Sequence, residues 1–331
     1  MTSIELSVIV PAKDAAEFLP TALKSLQQQT VDMSQVEILF INDGSTDHTP
    51  AVLEEYGAAF PHFTVFTNQH AVGLANARNI GLNNAQGTYI MFFDGDDWFM
   101  PGALDSHLAA IKELDVDFIR SDHVQITGKS RVIRRVPMAI RNRAFSPRRG
   151  ILPPYDSTMI DYPYAWAGIF HRRLLEAGLL HFPENFMTAE DRSWIWNLHL
   201  KAESCAVIDT PGVCYRRGLP DSLSQVIDAR QLYFIPAFAL IFSQLDGDLE
   251  AERFYPKAVR NWLAILEHQA KRFSMAPLLL RQRFSKEAKK VSSGIPREVL
   301  LTELHRATSD RRAAVLPMMP DLISTVERLI R

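Results

Sequence analysis

The amino-acid sequence predicts an α/β fold: a mostly parallel sheet flanked by helices, followed by a mainly helical C-terminal region. Short, nearly continuous apolar runs alternate with amphipathic stretches in units of about 30 residues, as in a parallel sheet covered on both faces. Polar clusters follow the first, second and fourth runs, at Pro11 to Asp14, Asn42 to Asp47 and Asp94 to Asp97. Ligands bind at these carboxyl ends of strands in such sheets. Beyond Asp228 the short runs give way to long segments with apolar and charged residues at helical spacing.

Each element has a local reason. Leu6 to Val10 is apolar and ends at Pro11, as a buried strand does. Glu17 to Gln29 places Phe18, Ala22, Leu23 and Leu26 on one helical face, with Pro20 in the first turn. Val36 to Ile41 reads as a second buried strand; the turn Asn42 to Asp47 then leads into a helix over about Thr49 to Ala59. Thr64 to Thr67 is a third strand, Leu74 to Asn83 a helix stopped by Gly87, and Thr88 to Phe93 a fourth strand. A helix over Pro101 to Leu114 and a strand over Asp117 to Ser121 follow. From Gly128 to Pro163 arginine, proline and tyrosine break the pattern, and a long loop or a short irregular hairpin is expected. Trp166 to Phe170 suggests a strand and Arg172 to Ala177 a short helix. Glu190 to Ala202 reads as a helix, and Cys205 to Ile208 and Val213 to Tyr215 as short strands. Four helices are expected over Arg230 to Leu245, Glu250 to Arg272, Leu278 to Val291 and Arg297 to Ala307.

With 47% hydrophobic and 22% charged residues among 331, the chain has an ordinary globular composition. Cys205 and Cys214 have neither a redox nor a zinc spacing and read as small buried hydrophobes. No leader pattern opens the chain and no run reaches about 18 apolar residues, so a cytoplasmic protein is expected. Charge is uneven: residues 1–130 carry 6 basic and 17 acidic side chains, 131–250 carry 14 and 13, and 251–331 carry 16 and 8. An acidic front needs a metal, or arginines from elsewhere, before it can hold phosphate. The basic tail, with Leu278 to Leu280 beside Arg281 and Arg283, suits either an anionic membrane surface or a helical domain that packs on the catalytic part or on another copy. Eight basic residues and no acidic one lie between Lys129 and Arg149.

The cluster Asp94-Gly95-Asp96-Asp97 ends a buried strand. Three carboxylates so close repel one another unless a cation or solvent intervenes, and hard oxygen ligands suit Mg²⁺ or Mn²⁺. An aspartate-rich turn capping the next helix is the alternative. Asp43 follows the second strand and can contact a nucleobase or ribose, or form the turn. Arg78 lies among small residues and can pair with a carboxylate or a pyrophosphate. Asp191, after Glu190, can be a helix cap or a general base, and Trp194 and Trp196 can stack on a sugar or fill a core. His62, His70 and His107 have no zinc spacing. The first strand leads into Pro11-Ala12-Lys13-Asp14 and not a glycine-rich turn, which argues against dinucleotide and P-loop folds.

Together these residues resemble the inverting glycosyltransferases of family 2, with the GT-A fold, over roughly residues 4–220. Five motifs carry the resemblance in order: Ser7 to Pro11, Asn42 to Asp47, Gly73 to Asn79, Phe92 to Asp97, and Thr188 to Asp191. The resemblance implies a nucleotide pocket lined by Pro11, Asp14, Asp43 and Arg78, with Asp94 on the ribose side and Asp96 holding Mn²⁺ or Mg²⁺ on the diphosphate. It implies Asp191 as the base, with Glu190 and Trp194 on the acceptor side. The expected donor is a nucleotide-sugar, UDP-linked, and the acceptor a glycan, lipid-linked or polymeric; no nucleic acid is expected as a partner. A catalytic domain is expected over 1–228, with its nucleotide-sugar part about 1–125 and its acceptor part about 126–228, before a helical domain over 229–331. Aspartate stands at Asp14 where the family usually has asparagine. The histidine often found in the stretch matching Tyr215 to Ser224 is missing, so Arg216 or Arg217 is expected on the diphosphate, with Asp221 a weaker metal candidate. That absence also motivates an alternative, a catalytically inactive relative that binds nucleotide or glycan as a scaffold.

Overall fold

A computed structural model describes residues 3–218 and 227–330. The first half alternates as the sequence predicts: β1 (Leu6–Ala12), α1 (Leu19–Gln27), β2 (Val36–Asp43), α2 (Thr49–Gly57), β3 (Phe63–Asn68), α3 (Leu74–Asn84) and β4 (Tyr89–Phe92). There follow β5 (Trp98–Phe99), α4 (Ala103–Leu114), β6 (Phe118–Ser121), β7 (His123–Thr127), β8 (Ser130–Arg134), β9 (Gly168–His171), α5 (Arg172–Glu176), α6 (Glu190–Lys201), β10 (Cys205–Ile208) and β11 (Val213–Arg216).

Seven strands form the main sheet in the order β10-β6-β9-β4-β1-β2-β3. Its pairings are parallel except those of β9, which runs antiparallel to β4 and β6. The register sets Ile9 against Leu39 and Phe92, so three buried strands end at one edge. The interior strand β2 is buried throughout, whereas no residue of its edge neighbour β3 is fully buried.

A second sheet, β5-β11-β7-β8, stands beside the first. The expected loop or hairpin after Gly128 begins as the β7–β8 hairpin and continues through short 3₁₀ turns at Pro147–Ile151 and Met159–Asp161. Gly87 does not cap α3, which ends on Ala85; a Cβ on Gly87 would lie 2.6 Å from the Ser7 nitrogen, so the glycine serves packing against β1.

The C-terminal region holds α7 (Phe234–Asp246), α8 (Ala251–Phe273), α9 (Leu278–Ser293), α10 (Arg297–Arg306), α11 (Ser309–Val315) and α12 (Ile323–Ile330). Phe234, Phe238 and Phe242 of α7 pack around the buried Trp262 of α8. Ion pairs tie these helices to the preceding loops. Arg148 reaches Asp248 and Glu250 at 2.5 and 2.8 Å, and the buried Lys257 reaches Asp161 at 2.5 Å. Cys205 and Cys214 are buried free thiols. No helix among the described residues is long and apolar enough to cross a membrane.

Candidate active site

Pro11 is buried in the last turn of β1's ladder, and the chain beyond it is stitched to the segment after β2. Asp14 has a left-handed backbone (φ 49°), which aspartate tolerates better than most residues. Its N–H donates to Ser45 Oγ at 2.9 Å and its carboxylate accepts from the Thr46 N–H at 2.7 Å. The Ala16 N–H donates to Asp47 at 3.0 Å. Asp43 is buried and accepts from Asn68 Nδ2, Val72 N–H and Gly73 N–H at 2.8, 2.8 and 2.9 Å, fixing the loop before α3. The structure thus gives Asp43 the turn-building role that the sequence left open beside ligand contact.

The aspartate cluster follows β4. A Cβ on Gly95 would lie 2.9 Å from Ala12 Cβ, so glycine lets the turn seat against the end of β1. The three carboxylates differ. Asp94 accepts from Arg78 Nη2 at 3.0 Å. Asp97 is fully buried and accepts from the Arg216 N–H at 2.7 Å, fastening β11 to the turn. Burial, then the charges of Asp96 and Asp94, hold its carboxyl well above the ordinary range. Asp96 makes no side-chain hydrogen bond or ion pair among the described residues; burial and then Asp94 push it up to about 6. The Arg216 guanidinium lies 4.9 Å from the ring centroids of both Phe18 and Trp98, and its Nε donates to the Asp96 carbonyl at 3.0 Å. Arg217 is exposed. Asp221 lies outside the described residues, with the rest of Leu219 to Ser224.

Arg78 joins this turn to the start of α6. Its guanidinium donates to Asp94 and to Glu190, each at 3.0 Å, and lies 5.1 Å from the Phe182 ring. Burial opposes its charge, but Asp94 and Glu190 outweigh that and hold its pKa raised. Arg78 is 3% exposed, with its guanidinium engaged by these two carboxylates.

The two residues expected on the acceptor side are both buried. Glu190 is 6% exposed and turned inward onto Arg78. Trp194 is 2% exposed, stacked on Phe182 at 5.0 Å and edge-on to Phe92 and Phe170, with Nε1 donating to the Leu180 carbonyl at 3.0 Å. It is a core residue. Asp191 differs from its neighbour: it is half-buried, its carboxylate accepts from the Arg192 N–H and its own N–H, and it has no ion pair among the described residues. Neighbouring residues of a helix point roughly 100° apart, which separates the two carboxylates. Burial raises the Asp191 pKa, against the opposing charges of Arg192 and Arg78. Ala189, just before them, adopts a left-handed backbone (φ 60°), a conformation costing a non-glycine residue about 1–3 kcal/mol.

Sequence reasoning missed the Phe18–Trp98 clamp on Arg216, although Trp98 directly follows Asp97. It also missed Arg120, a buried guanidinium that donates to the Tyr162 and Tyr164 carbonyls at 2.9 and 2.7 Å and feels the charge of Asp191.

The donor chemistry fits a hard divalent cation in one respect: Asp96 is a carboxylate short of positive charge, with Asp94 beside it. No three His, Cys, Asp or Glu side chains among the described residues converge on one point. The protein side would therefore supply few ligands, as is usual where Mg²⁺ or Mn²⁺ completes its shell with water and phosphate.

The profile described as glycosyl transferase family 2 matches residues 7–209. Among curated proteins, Bacillus subtilis EpsH is 27% identical over 221 residues, 65% of this chain and 62% of EpsH. The Staphylococcus aureus poly(ribitol-phosphate) beta-N-acetylglucosaminyltransferase TarS is 25% identical over 212 residues, 64% of this chain and 35% of TarS. The chain thus spans less than two thirds of the length of these relatives. Among solved structures, TarS 1–349 of S. aureus with UDP-GlcNAc has a TM-score of 0.75 at 20% identity, covering 98% of this chain and 91% of that one. The mannosyltransferase PcManGT of Pyrobaculum calidifontis with GDP-Man and Mn²⁺ has a TM-score of 0.52 at 18% identity, covering 100% and 86%. These likenesses bear out the fold, a GT-A-like sheet followed by helices. With the profile match spanning well over half of its residues and taking in all five motifs that meet at the sheet edge, this chain belongs to glycosyl transferase family 2.

Proposed function

We propose that the protein transfers a sugar from a nucleotide-sugar, UDP-linked, to an acceptor hydroxyl by a single inverting displacement. One observation carries the reading. Of the five carboxylates Asp94, Asp96, Asp97, Glu190 and Asp191, only Asp96 and Asp191 have no ion pair and no hydrogen bond to a residue distant in sequence among the described residues; the others are spent on Arg78 and on the Arg216 backbone. Asp191, its basicity raised by burial, takes the proton of the acceptor hydroxyl. The acceptor oxygen bonds to the anomeric carbon as that carbon's bond to the diphosphate oxygen breaks, and the nucleoside diphosphate leaves with the electron pair. Asp96, with Asp94 beside it, would hold Mn²⁺ or Mg²⁺, which when bound supplies positive charge for the departing diphosphate. Arg216 and Arg217 add cationic donors suited to phosphate oxygens. In this reading residues 1–228 are the catalytic domain and 229–331 a helical one.

The acceptor class follows from the β7–β8 hairpin. Arg131, Arg135 and Arg143 have no carboxylate partner among the described residues, and Arg134 bonds only Gln125, at 3.1 Å. Arg131 stands opposite Ile126, which stands opposite Arg216, so the basic hairpin shares a sheet with the diphosphate-side arginine. This favours an acceptor carrying phosphate, and TarS, by its name, acts on such a polymer. The test is a transfer screen over nucleotide-sugars with Mn²⁺, offering phosphate-bearing and neutral glycans. Acceptor-dependent release of UDP supports the reading. UDP binding without turnover on any pair would point to the inactive relative instead.

A further inference from the structure

We infer that the tip between α8 and α9 docks on an anionic lipid bilayer. Met275, Leu278 and Leu279 are 93%, 59% and 79% exposed, and only Ala276 and Pro277 separate them. Three large apolar side chains in five residues form a protruding wedge that gains nothing from water.

Helix α9 continues from this wedge. Its buried Phe284, Ala288 and Ser292 recur every fourth residue and fix the inward face. Leu279, Arg283, Lys286 and Lys290 fall opposite, with Lys289 on the flank; Arg281, in the first turn, lies on the inward side, and all six are exposed. Glu287 is the helix's only acidic residue, and it is paired with Arg283 at 2.7 Å. Among the described residues Lys289 has one carboxylate partner, Asp321 at 3.9 Å. Arg281, Lys286 and Lys290 have no carboxylate partner among the described residues. The arrangement is an apolar tip with a basic helix face behind it.

Charge complementarity selects the occupant. A second copy docked by the same face would set lysine against lysine. A soluble polyanion would satisfy the cations but leave the wedge in water. A bilayer with anionic headgroups satisfies both, since apolar side chains enter the boundary region while Lys and Arg remain at headgroup level. The contact is interfacial and independent of the catalytic reading, because the wedge lies outside the sheet and its edge.

The test is co-sedimentation of the full chain with vesicles of phosphatidylcholine alone and of phosphatidylcholine with phosphatidylglycerol, at low and physiological salt. The wild type is expected to pellet with the mixed vesicles at low salt and not with phosphatidylcholine alone. Met275→Ser with Leu278→Ser and Leu279→Ser should bind at least about tenfold more weakly at an unchanged melting temperature. Lys286→Glu with Lys290→Glu should lose about 30-fold or more, from about 1 kcal/mol per cation. Absence of vesicle binding at low salt overturns the inference, as does undiminished binding by the triple serine variant. Equal retention of soluble polyphosphate by wild type and triple variant, without vesicle binding, would make the surface a polyanion site. An oligomer that the serine variant dissolves in light scattering, while vesicle binding persists, would make it a subunit contact.

Discussion

Arg78 Nη1 and Glu190 Oε1 lie 3.0 Å apart, both buried, and this pair ties the third helix to the helix that carries Asp191. The same guanidinium holds Asp94, so one side chain sets the spacing between the aspartate turn after β4 and the start of α6. Removing one partner of a buried pair leaves an uncompensated charge, at about 3–5 kcal/mol. Arg78→Met should lose about that much in chemical denaturation. Arg78→Met with Glu190→Leu should recover most of the stability without recovering transfer activity. Equal destabilisation of the single and double variants would show that the pair is not the source.

Asp191→Asn should keep UDP binding in calorimetry while turnover falls by about 10²–10⁴, the usual contribution of a general base. Asp191 has no ion pair among the described residues, and an asparagine oxygen can still accept from the Arg192 N–H, so the substitution should leave the melting temperature nearly unchanged. Undiminished turnover would remove Asp191 from the mechanism.

The raised pKa of Asp191 has a kinetic sign. A base works deprotonated, so kcat/KM should fall as pH drops through that pKa. The acid limb should therefore lie above the ordinary aspartate value of about 3.9. Arg78 is one of the charges that lower it, so Arg78→Met should move the limb to higher pH. A purely structural role for Arg78 would scale the profile without moving it.

The parallel half of the fold was legible because β1, β2 and β4 are buried on both faces and read as nearly continuous apolar runs. The second sheet was not. Its β5 is two residues long, and β8 is exposed throughout, so neither shows an alternation. The site was legible as positions and less so as roles. Motif spacing located Arg78, Asp94 and Glu190, but could not tell that their donors and acceptors are spent on one another. That is a property of side chains 16 to 112 residues apart in sequence. Trp194 shows the same limit, because an aromatic on an inward helical face looks alike whether it meets a sugar or Phe182.

Trp194 offers a test of that distinction. As a core residue, Trp194→Ala should cost about 3–5 kcal/mol. Trp194→Phe should cost less, with an unfilled space and the lost bond to the Leu180 carbonyl. Under folding conditions Trp194→Phe should leave the acceptor KM unchanged. A rise in acceptor KM at unchanged stability would return Trp194 to the acceptor side.

Gly95→Ala probes how the aspartate turn meets the first strand. The added methyl would stand 2.9 Å from Ala12 Cβ and 3.3 Å from Leu19 Cδ2. Leu19 can rotate, but Ala12 Cβ is fixed to the backbone of β1, so the turn must lift by a few tenths of an ångström. That movement shifts Asp94 against Arg78 and displaces Asp96 from the nucleotide side. Stability should fall by about 1–3 kcal/mol, the usual range for overpacking. UDP affinity in the presence of Mn²⁺ should fall more than UDP affinity without it, because Asp96 is the carboxylate we propose for the cation. Equal losses with and without Mn²⁺ in calorimetry would mean that the turn positions the nucleotide and not the metal.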